Sequence, residues 1–315
     1  MDELIFSLNA TVPIFLVMIG GYIAKQINMV DDNFVKVLNR VNFKITLPFL
    51  VFRDIANADF YNVWDTRYVL FCFLATLSSI LVITLLCRIF YKDKTECGEF
   101  VQAAYRSSAA VLGIAFIQNI YGTSGMAPLM IIGTVPLYNV AAVIVLTFSS
   151  PVQDGNANDN IKKALIGVIT NPIIIGIALG MAVSVLRIDM PVIIEKTVNN
   201  FAVLASPLAL FGLGAGFEGR KALKKIKPTI IITIVKLVIL PAIFLPAAIK
   251  MGFTTDKLVA VLIMLGAPTT ASCYVMAKNM GHEGVLTSSA VVSTTFFCSV
   301  TLTFWLYILR SMGVV

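Results

Sequence analysis

An apolar segment near the C-terminal end of the chain reads KLVAVLIMLGAPTTASCYVMAKN (residues 257–279). It is long enough to cross a bilayer as a helix, but Gly266 and Pro268 interrupt it in the middle. Proline removes one backbone hydrogen bond and disturbs the preceding turn, and the hydroxyl residues that follow are suited to capping a new half-helix. The pattern predicts a helix that is broken inside the membrane. A simple kink, which transmembrane helices tolerate, is the alternative.

The same weak point recurs 159 residues earlier in the chain. Subtracting 159 from 266–272 gives 107–113, where the sequence RSSAAVLG (106–113) is again rich in small and hydroxyl residues. This offset also relates five pairs of identical residues: Pro13 and Pro172, Pro48 and Pro207, Gly21 and Gly180, Gly122 and Gly281, and Gly125 and Gly284. Each half carries five apolar segments, and an odd number of crossings inverts the second half. The sequence therefore predicts an inverted-topology repeat, which is typical of secondary transporters.

Composition indicates a polytopic membrane protein. Hydrophobic residues make up 58% of the chain and charged residues only 13%, whereas soluble domains carry about a quarter charged residues. We predict an all-α fold with ten spans, near 4–24, 35–56, 67–90, 100–120, 126–149, 162–186, 193–217, 229–249, 257–279 and 285–310. Spans 1–5 form a first repeat over 1–155 and spans 6–10 a second over 160–315, with the polar linker PVQDGNANDN (151–160) where they meet.

Lysine and arginine predict the orientation of the chain. Thirteen of them flank the odd-numbered connections and seven lie on the opposite side. The positive-inside rule then places the odd connections in the cytoplasm and both termini outside, in the cytoplasmic (plasma) membrane. The basic excess lies at span ends, so the net charge of +7 requires no nucleic-acid partner.

Four basic residues lie inside predicted spans: Arg40, Lys44, Arg106 and Lys236. Each costs about 2.5–3.5 kcal/mol at a helix centre on insertion scales. All seventeen Asp and Glu residues fall in predicted loops or at span ends, so we expect no buried carboxylate to pair with these cations. An unpaired excess of positive charge indicates an anionic guest.

The four cations differ in how well a structural role explains them. Arg40 is close enough to the cytoplasmic surface to snorkel. Lys44 and Lys236 are candidates for an anion path, but Lys44 could also snorkel or support a helix interface. Lys236 could instead bind backbone carbonyls freed by Pro241. A binding role is favoured for Arg106, since it adjoins the irregular stretch of span 4.

The substrate-binding residues predicted from the sequence lie around the two breaks: Arg106, Ser107, Ser108, Asn139, Pro268, Thr269, Thr270 and Ser272. A guanidinium can hold a carboxylate in a bidentate pair, and the N-terminus of a half-helix presents free N–H groups to an anion. Asn139 could equally form an interhelical hydrogen bond. No nucleophile–base constellation or metal-ligand spacing is visible, so we expect no enzymatic step, no metal and no cofactor.

Several stretches resemble the auxin efflux carrier family, in its bacterial permease branch. APTTASCYVMAKNMG (267–281) and LTSSAVVSTTF (286–296) resemble spans 9 and 10 of that family. NFKITLPFLVF (42–52), RSSAAVLGIAFIQNIYG (106–122) and PLYNVAAV (136–143) resemble its second, fourth and fifth spans. The family often has Asn where Ser108 stands and Pro where Ala115 stands.

The resemblance implies a scaffold of spans 1, 2, 6 and 7 and a moving transport domain of spans 3–5 and 8–10. Spans 4 and 9 would cross at their breaks, and homodimers would form through the scaffold. Members are associated with efflux of auxin in plants and with malate- or malonate-type carboxylates in bacteria.

Together these features predict a secondary transporter for small organic anions, in particular carboxylates, that works by alternating access. A proton or sodium ion is a possible coupling partner. Two alternatives remain open at this point: a sodium-coupled organic-anion symporter of the bile-acid type, and a membrane sensor without transport.

Overall fold

The computed structural model describes residues 2–57, 64–91, 93–109, 117, 121, 125–149, 166–167 and 169–315, with side chains from residue 12 onward. Within these ranges every named element is a helix. The predicted linker 151–160 and most of the second half of span 4 lie outside the described residues.

The first half of the chain contains six described α-helices. They are α1 (Asp2–Gln26), α2 (Asp32–Val41), α3 (Leu47–Ala56), α4 (Thr66–Phe90), α5 (Cys97–Tyr105) and α6 (Ala127–Phe148). A π-helical turn, Asn42–Thr46, joins α2 to α3 without a break, so the three elements together form predicted span 2.

The second half contains eight described α-helices. They are α7 (Pro172–Val185), α8 (Val192–Ala215), α9 (Gly219–Lys224), α10 (Ile226–Ile234), α11 (Leu240–Lys250), α12 (Thr255–Gly266), α13 (Ser272–Asn279) and α14 (Val285–Ser311). A second π-helical turn, Val235–Ile239, joins α10 to α11, so these elements form predicted span 8. The turn contains Lys236.

Local sequence explains where several helices begin. Asp31 accepts a hydrogen bond from the Phe34 amide at 2.7 Å and caps α2. Asp65 caps α4 in the same way through the Tyr68 amide at 3.0 Å. Such carboxylates satisfy amide donors that have no partner inside the helix.

Five of the described helices, counting α10–α11 as one, are long and apolar enough to cross a membrane. They are Thr66–Phe90, Ala127–Phe148, Val192–Ala215, Ile226–Lys250 and Val285–Ser311. Val12–Gln26 and Pro172–Val185 form shorter apolar helices. Many large apolar side chains on these helices are exposed, which suits a surface solvated by lipid rather than by water. The chain is therefore a multi-pass membrane protein.

The described helices pack in two groups, which are joined by an extensive contact between α1 and α14. In the first group α1 packs along α8, and α3 packs against both α7 and α8. In the second group α4, α5 and α6 pack on one another, as do α10, α11, α12 and α14. One buried apolar cluster joins α4–α6 to α10, α11, α12 and α14, and a second joins α1, α3, α7 and α8 to α6, α13 and α14.

Two glycine contacts in the first group are related by the offset of the sequence repeat. A Cβ atom on Gly21 would lie 2.2 Å from the Phe211 carbonyl oxygen, and one on Gly180 would lie 2.8 Å from the Phe52 carbonyl oxygen. Gly21 and Gly180 are 159 residues apart, and so are Phe52 and Phe211. The contact of α1 with α8 therefore has a counterpart in the contact of α7 with α3.

The break predicted at Gly266–Pro268 is present. Helix α12 stops at Gly266, Ala267 is extended, and α13 begins only at Ser272. Helix α5 likewise stops at Tyr105, and Arg106 is extended. Ser107 and Thr269 then face each other as an isolated antiparallel bridge. We call this junction of two interrupted segments, 106–108 and 267–271, the crossing point, after the crossing of spans 4 and 9 that the sequence predicts.

Candidate functional site

Hydrogen bonds between the two segments of the crossing point and their neighbours stabilise it. The Ser108 amide donates to the Pro268 carbonyl at 2.9 Å, and the Ser107 hydroxyl donates to the Met264 carbonyl of α12. The Thr269 hydroxyl donates to the Ala103 carbonyl at 2.7 Å. Backbone groups that the interrupted helices leave unpaired are thus satisfied across the crossing.

Arg106 is the charged residue at this point, and its side chain is only 3% exposed. Its Nη2 donates to Asn139 Oδ1 at 2.9 Å and to Ser272 Oγ at 3.0 Å. Its Nη1 lies 2.9 Å from Met276 Sδ and 3.4 Å from Gln102 Oε1. Its Nε has no hydrogen-bond partner among the described residues.

The charge of Arg106 is not balanced by a protein carboxylate. None of the ion pairs among the described residues includes Arg106. Its contacts are with an amide, a hydroxyl and a thioether, which are neutral groups. A buried charge with an unused donor is costly unless a partner of opposite charge binds it.

A cavity of about 120 Å³ lies beside the crossing point, between the two groups of helices. All eight residues that the sequence predicts as substrate-binding line it: Arg106, Ser107, Ser108, Asn139, Pro268, Thr269, Thr270 and Ser272. The opposite wall comes mainly from apolar side chains of α3, α7 and α8: Leu47, Leu50, Val51, Ile173, Ala209 and Leu210. The cavity is therefore polar and positive at Arg106, whereas the facing wall is mainly apolar, with Asp54 and Ser206 as its polar members.

Not every polar group in the wall is available to a ligand. Thr269 uses its hydroxyl for Ala103 and its amide for the Thr294 hydroxyl, at 3.0 Å. Thr270 and Ser272 are only partly buried, and their hydroxyl oxygens lie 3.2 Å apart. Thr270 and Ser272, the first residue of α13, are thus better placed than Thr269 to contact a ligand.

The two lysines predicted for an anion path do not line this cavity. Lys44 is exposed. Lys236 is 0% exposed, and its Nζ donates to the Tyr105 carbonyl at 2.9 Å and to the Ser107 hydroxyl. The expectation that Lys236 binds a carbonyl freed by Pro241 is not met, because the Leu237 carbonyl, four residues before Pro241, accepts from the Trp305 indole at 3.0 Å.

Two carboxylates at helix ends are covered by the fold, although neither pairs with Arg106 or Lys236 in the part of the chain that the structure describes. Glu99 is 2% exposed, but it accepts bonds from the amides of Gly284 and Thr287 and from the Thr287 hydroxyl, so it caps α14 and pairs with no cation. Asp54 lines the cavity and accepts bonds from Arg53 at 2.8 and 3.1 Å. Both lie at helix ends, and sequence position alone does not show how deeply a helix end is covered.

Sequence reasoning also missed Gln102 and Met276, which contact Arg106. Gln102 had a usable signal, since it lies four residues before Arg106 on the same face of α5. Met276 is 170 positions away in sequence and had none. Among the described residues no cluster of His, Cys, Asp and Glu side chains could hold a metal ion.

Comparison with known proteins gives the family. The model of a family described as membrane transport protein matches residues 6–306. An uncharacterized transporter of Escherichia coli, YfdV, is 23% identical over 314 residues, covering 98% of this chain and 99% of the relative. A Rhizobium meliloti protein that carries the provisional name of a malonate transporter is 26% identical over 143 residues, 45% of this chain and 44% of the relative. The mouse lysosomal cholesterol signaling protein is 28% identical over 72% of this chain but only 28% of its own length. The chain belongs to the membrane transport protein family, the family of the auxin efflux carriers.

Proposed function

We propose that this protein is a secondary transporter for small organic anions, and that carboxylates are its substrate class. The observation that carries the proposal is Arg106, a buried guanidinium that lines the cavity and that, among the residues the structure describes, has no partner for its Nε and no paired carboxylate. A carboxylate in the cavity would supply the missing acceptor and the missing charge in one group. Arginine suits this role because its fork matches a carboxylate in two parallel hydrogen bonds.

The shape of the cavity supports a small substrate. Its volume of about 120 Å³ is below the roughly 300–1,000 Å³ of pockets that hold drug-sized ligands. The apolar wall opposite Arg106 suits a short hydrocarbon body. A compact mono- or dicarboxylic acid satisfies both sides of the cavity better than an inorganic anion or a large amphiphile.

The start of α13 supports an anion as well. Helix α13 begins at Ser272 in the wall of the cavity. The amides of Cys273, Tyr274 and Val275 donate to the Thr270 and Ala271 carbonyls, so this helix end favours an anion through its partial charge rather than through free donors. Helix N-termini carry a partial positive charge, equivalent to roughly half an elementary charge, which favours anions. We propose that Ser272 and this helix end bind the carboxylate together with Arg106.

The position of the cavity supports alternating access. We propose that spans 1, 2, 6 and 7 form a scaffold and that spans 3–5 and 8–10 move as a transport domain. The substrate would bind at the boundary between them. The repeated contacts Gly21–Phe211 and Gly180–Phe52 support an inverted repeat within the scaffold. In such folds, interrupted helices bind the substrate near the midplane while one group rocks against the other.

Uptake into proteoliposomes tests the proposal. The purified protein is reconstituted and presented with labelled malonate, with malate, succinate and indole-3-acetate as competitors and malonamide as the uncharged matched control. We expect saturable uptake that small carboxylates inhibit and malonamide does not. Absence of flux and binding for every carboxylate would contradict the proposal.

The same experiment separates the alternatives. Flux that disappears when choline replaces sodium would identify a sodium-coupled symporter. Binding without flux would favour a sensor. The mouse relative, for comparison, is named as a signaling protein. The proposal also includes three further expectations. Both termini lie outside, the protein resides in the cytoplasmic membrane, and it forms a homodimer through the scaffold.

A further inference from the structure

Lys236 is a second buried cation at the crossing point, and it does not line the cavity. It belongs to the π-helical turn Val235–Ile239 and is 0% exposed. Its Nζ donates to the Tyr105 carbonyl oxygen at 2.9 Å and to the Ser107 hydroxyl oxygen. None of the ion pairs among the described residues includes it. An ammonium group is therefore buried against neutral oxygens alone.

Those oxygens form a place that attracts a cation. Tyr105 is the last residue of α5, and the final carbonyls of a helix have no partner in the helix and carry a partial negative charge. Ser107 donates its own proton to the Met264 carbonyl of α12, so its oxygen is turned toward Lys236 as an acceptor. Lys236 thus contacts the end of α5 directly and is linked to α12 through one hydroxyl group.

In transporters with discontinuous helices, carbonyls freed at such half-helix ends commonly coordinate a coupling sodium ion or proton. We propose that the Lys236 ammonium is a cation supplied by the chain itself at the crossing point and occupies the place of a coupling sodium ion. The crossing point is then complete without sodium. Lys236 is a positioning residue, because it fixes Tyr105 and Ser107 on either side of Arg106.

The charge balance supports this assignment. A sodium ion bound to the same oxygens would lie within a few ångströms of an ammonium group, and like charges this close repel each other strongly inside a protein. The buried carboxylate Glu99 is engaged by α14, and the half-buried Asp54 is engaged by Arg53. No described carboxylate is left at Lys236 to offset a second cation.

The transport part of this inference rests on the proposed function, whereas the stability part does not. The first measurement is therefore the thermal unfolding midpoint of the purified protein in sodium, potassium or choline chloride at equal ionic strength. We expect the three midpoints to agree within about 1 °C. A saturable rise in sodium alone would overturn the inference.

The second measurement is chemical rescue. Lys236→Ala removes Cγ, Cδ, Cε and Nζ, and propylammonium supplies those four atoms. We expect the variant to unfold several degrees below the parent and to recover at least half of the loss with propylammonium but not with propanol or choline. Lys44→Ala, which removes an exposed lysine, is the matched control and should show neither loss nor rescue. If Lys236→Ala folds poorly, rescue is measured as the yield of folded protein purified with propylammonium present.

The outcomes distinguish the two proposals. No recovery with propylammonium, or a Lys236→Met variant as stable as the parent, would show that the ammonium does not hold the crossing point. Malonate uptake by the parent should be the same in sodium and choline. If the parent neither binds nor transports a carboxylate, the proposed function fails, while the unfolding and rescue results still decide the role of Lys236.

Discussion

Arg106 and Lys236 are two buried cations at one crossing point, and they differ in what surrounds them. Lys236 is enclosed by protein, and its ammonium donates to a helix-end carbonyl and a hydroxyl. Arg106 lines a cavity, and its Nε has no partner among the described residues. A cation whose donors are used inside the fold supports the structure, whereas one with an unused donor beside a cavity indicates a ligand. Burial and charge alone do not separate these roles.

The largest expected effect on binding follows from Arg106→Lys, which keeps the positive charge but removes the guanidinium group that can donate two parallel hydrogen bonds. We expect malonate affinity to fall by about 10–100-fold, because a hydrogen bond to a charged group contributes roughly 1.5–3 kcal/mol. The unfolding midpoint should stay within a few degrees of the parent. Isothermal titration and thermal unfolding measure the two quantities.

Lys44→Gln is the control for this change, since it removes an exposed cation of predicted span 2. It should leave affinity unchanged. If Arg106→Lys binds malonate like the parent, the bidentate contact is wrong and only the local charge matters.

Lys236→Met should give the opposite pattern. It leaves the buried Tyr105 carbonyl without its donor, which costs about 1–3 kcal/mol. We expect the unfolding midpoint to fall by about 3–10 °C, at roughly 2–4 °C per kcal/mol, while malonate affinity changes by no more than about threefold. A large loss of affinity at unchanged stability would mean that Lys236 contacts the substrate and that the contrast with Arg106 does not hold.

Asn139→Leu should produce a smaller effect that sharpens the account of Arg106. Asn139 Oδ1 accepts from Arg106 Nη2 at 2.9 Å, and its Nδ2 donates within α6 to the Val135 carbonyl. Losing one bond that orients the guanidinium should weaken binding about tenfold, or about 1.4 kcal/mol. Thr147→Val in the same helix removes only a local bond to the Val143 carbonyl and serves as the control. Equal affinities for both variants would contradict a positioning role for Asn139.

The smallest effect is expected for a surface cation that does have a carboxylate. Lys257 donates to Asp65 at 2.6 Å, and this bond, together with the Tyr68 amide, holds the pKa of Asp65 below its usual value. The ion pair therefore stabilises the fold above the unfolded-state pKa of about 3.9, and its contribution is lost as pH falls through the lower folded-state pKa.

Asp65→Asn tests this contribution. It should lower the unfolding midpoint at pH 7 by no more than about 4 °C, because exposed pairs contribute at most about 1 kcal/mol and each kcal/mol shifts the midpoint by roughly 2–4 °C. The difference from the parent should shrink below pH 4. A difference that grows on acidification would contradict the sign of the pKa shift.

Much of the fold could be predicted from the sequence because the length and position of each apolar segment can be read directly from it. The predicted spans 67–90, 126–149 and 285–310 match α4, α6 and α14 to within one residue at each end. The interruption of span 9 could be predicted because Pro268 lacks the amide that an unbroken helix needs. The ten-span inverted repeat, the crossing of spans 4 and 9 and the division into two domains stay predictions.

The partners of the buried charges could not be predicted. The residues that contact Lys236 are about 130 positions away in sequence, and Met276 and Ser272 are about as far from Arg106. The sequence favoured a binding role for Arg106, because it adjoins the irregular stretch of span 4, and left the role of Lys236 open. Only the three-dimensional arrangement shows that Asn139 accepts from Arg106 and that Lys236 does not line the cavity.

The most direct test of the account is a structure of the parent protein determined with the best-bound carboxylate of the uptake panel. We predict that the carboxylate lies beside Arg106, with one oxygen within about 3 Å of Nε, the donor that lacks a partner among the described residues. Ser272 and the start of α13 should complete the contact. A substrate bound elsewhere, with Arg106 still making only its present contacts to Asn139, Ser272 and Met276, would contradict the account.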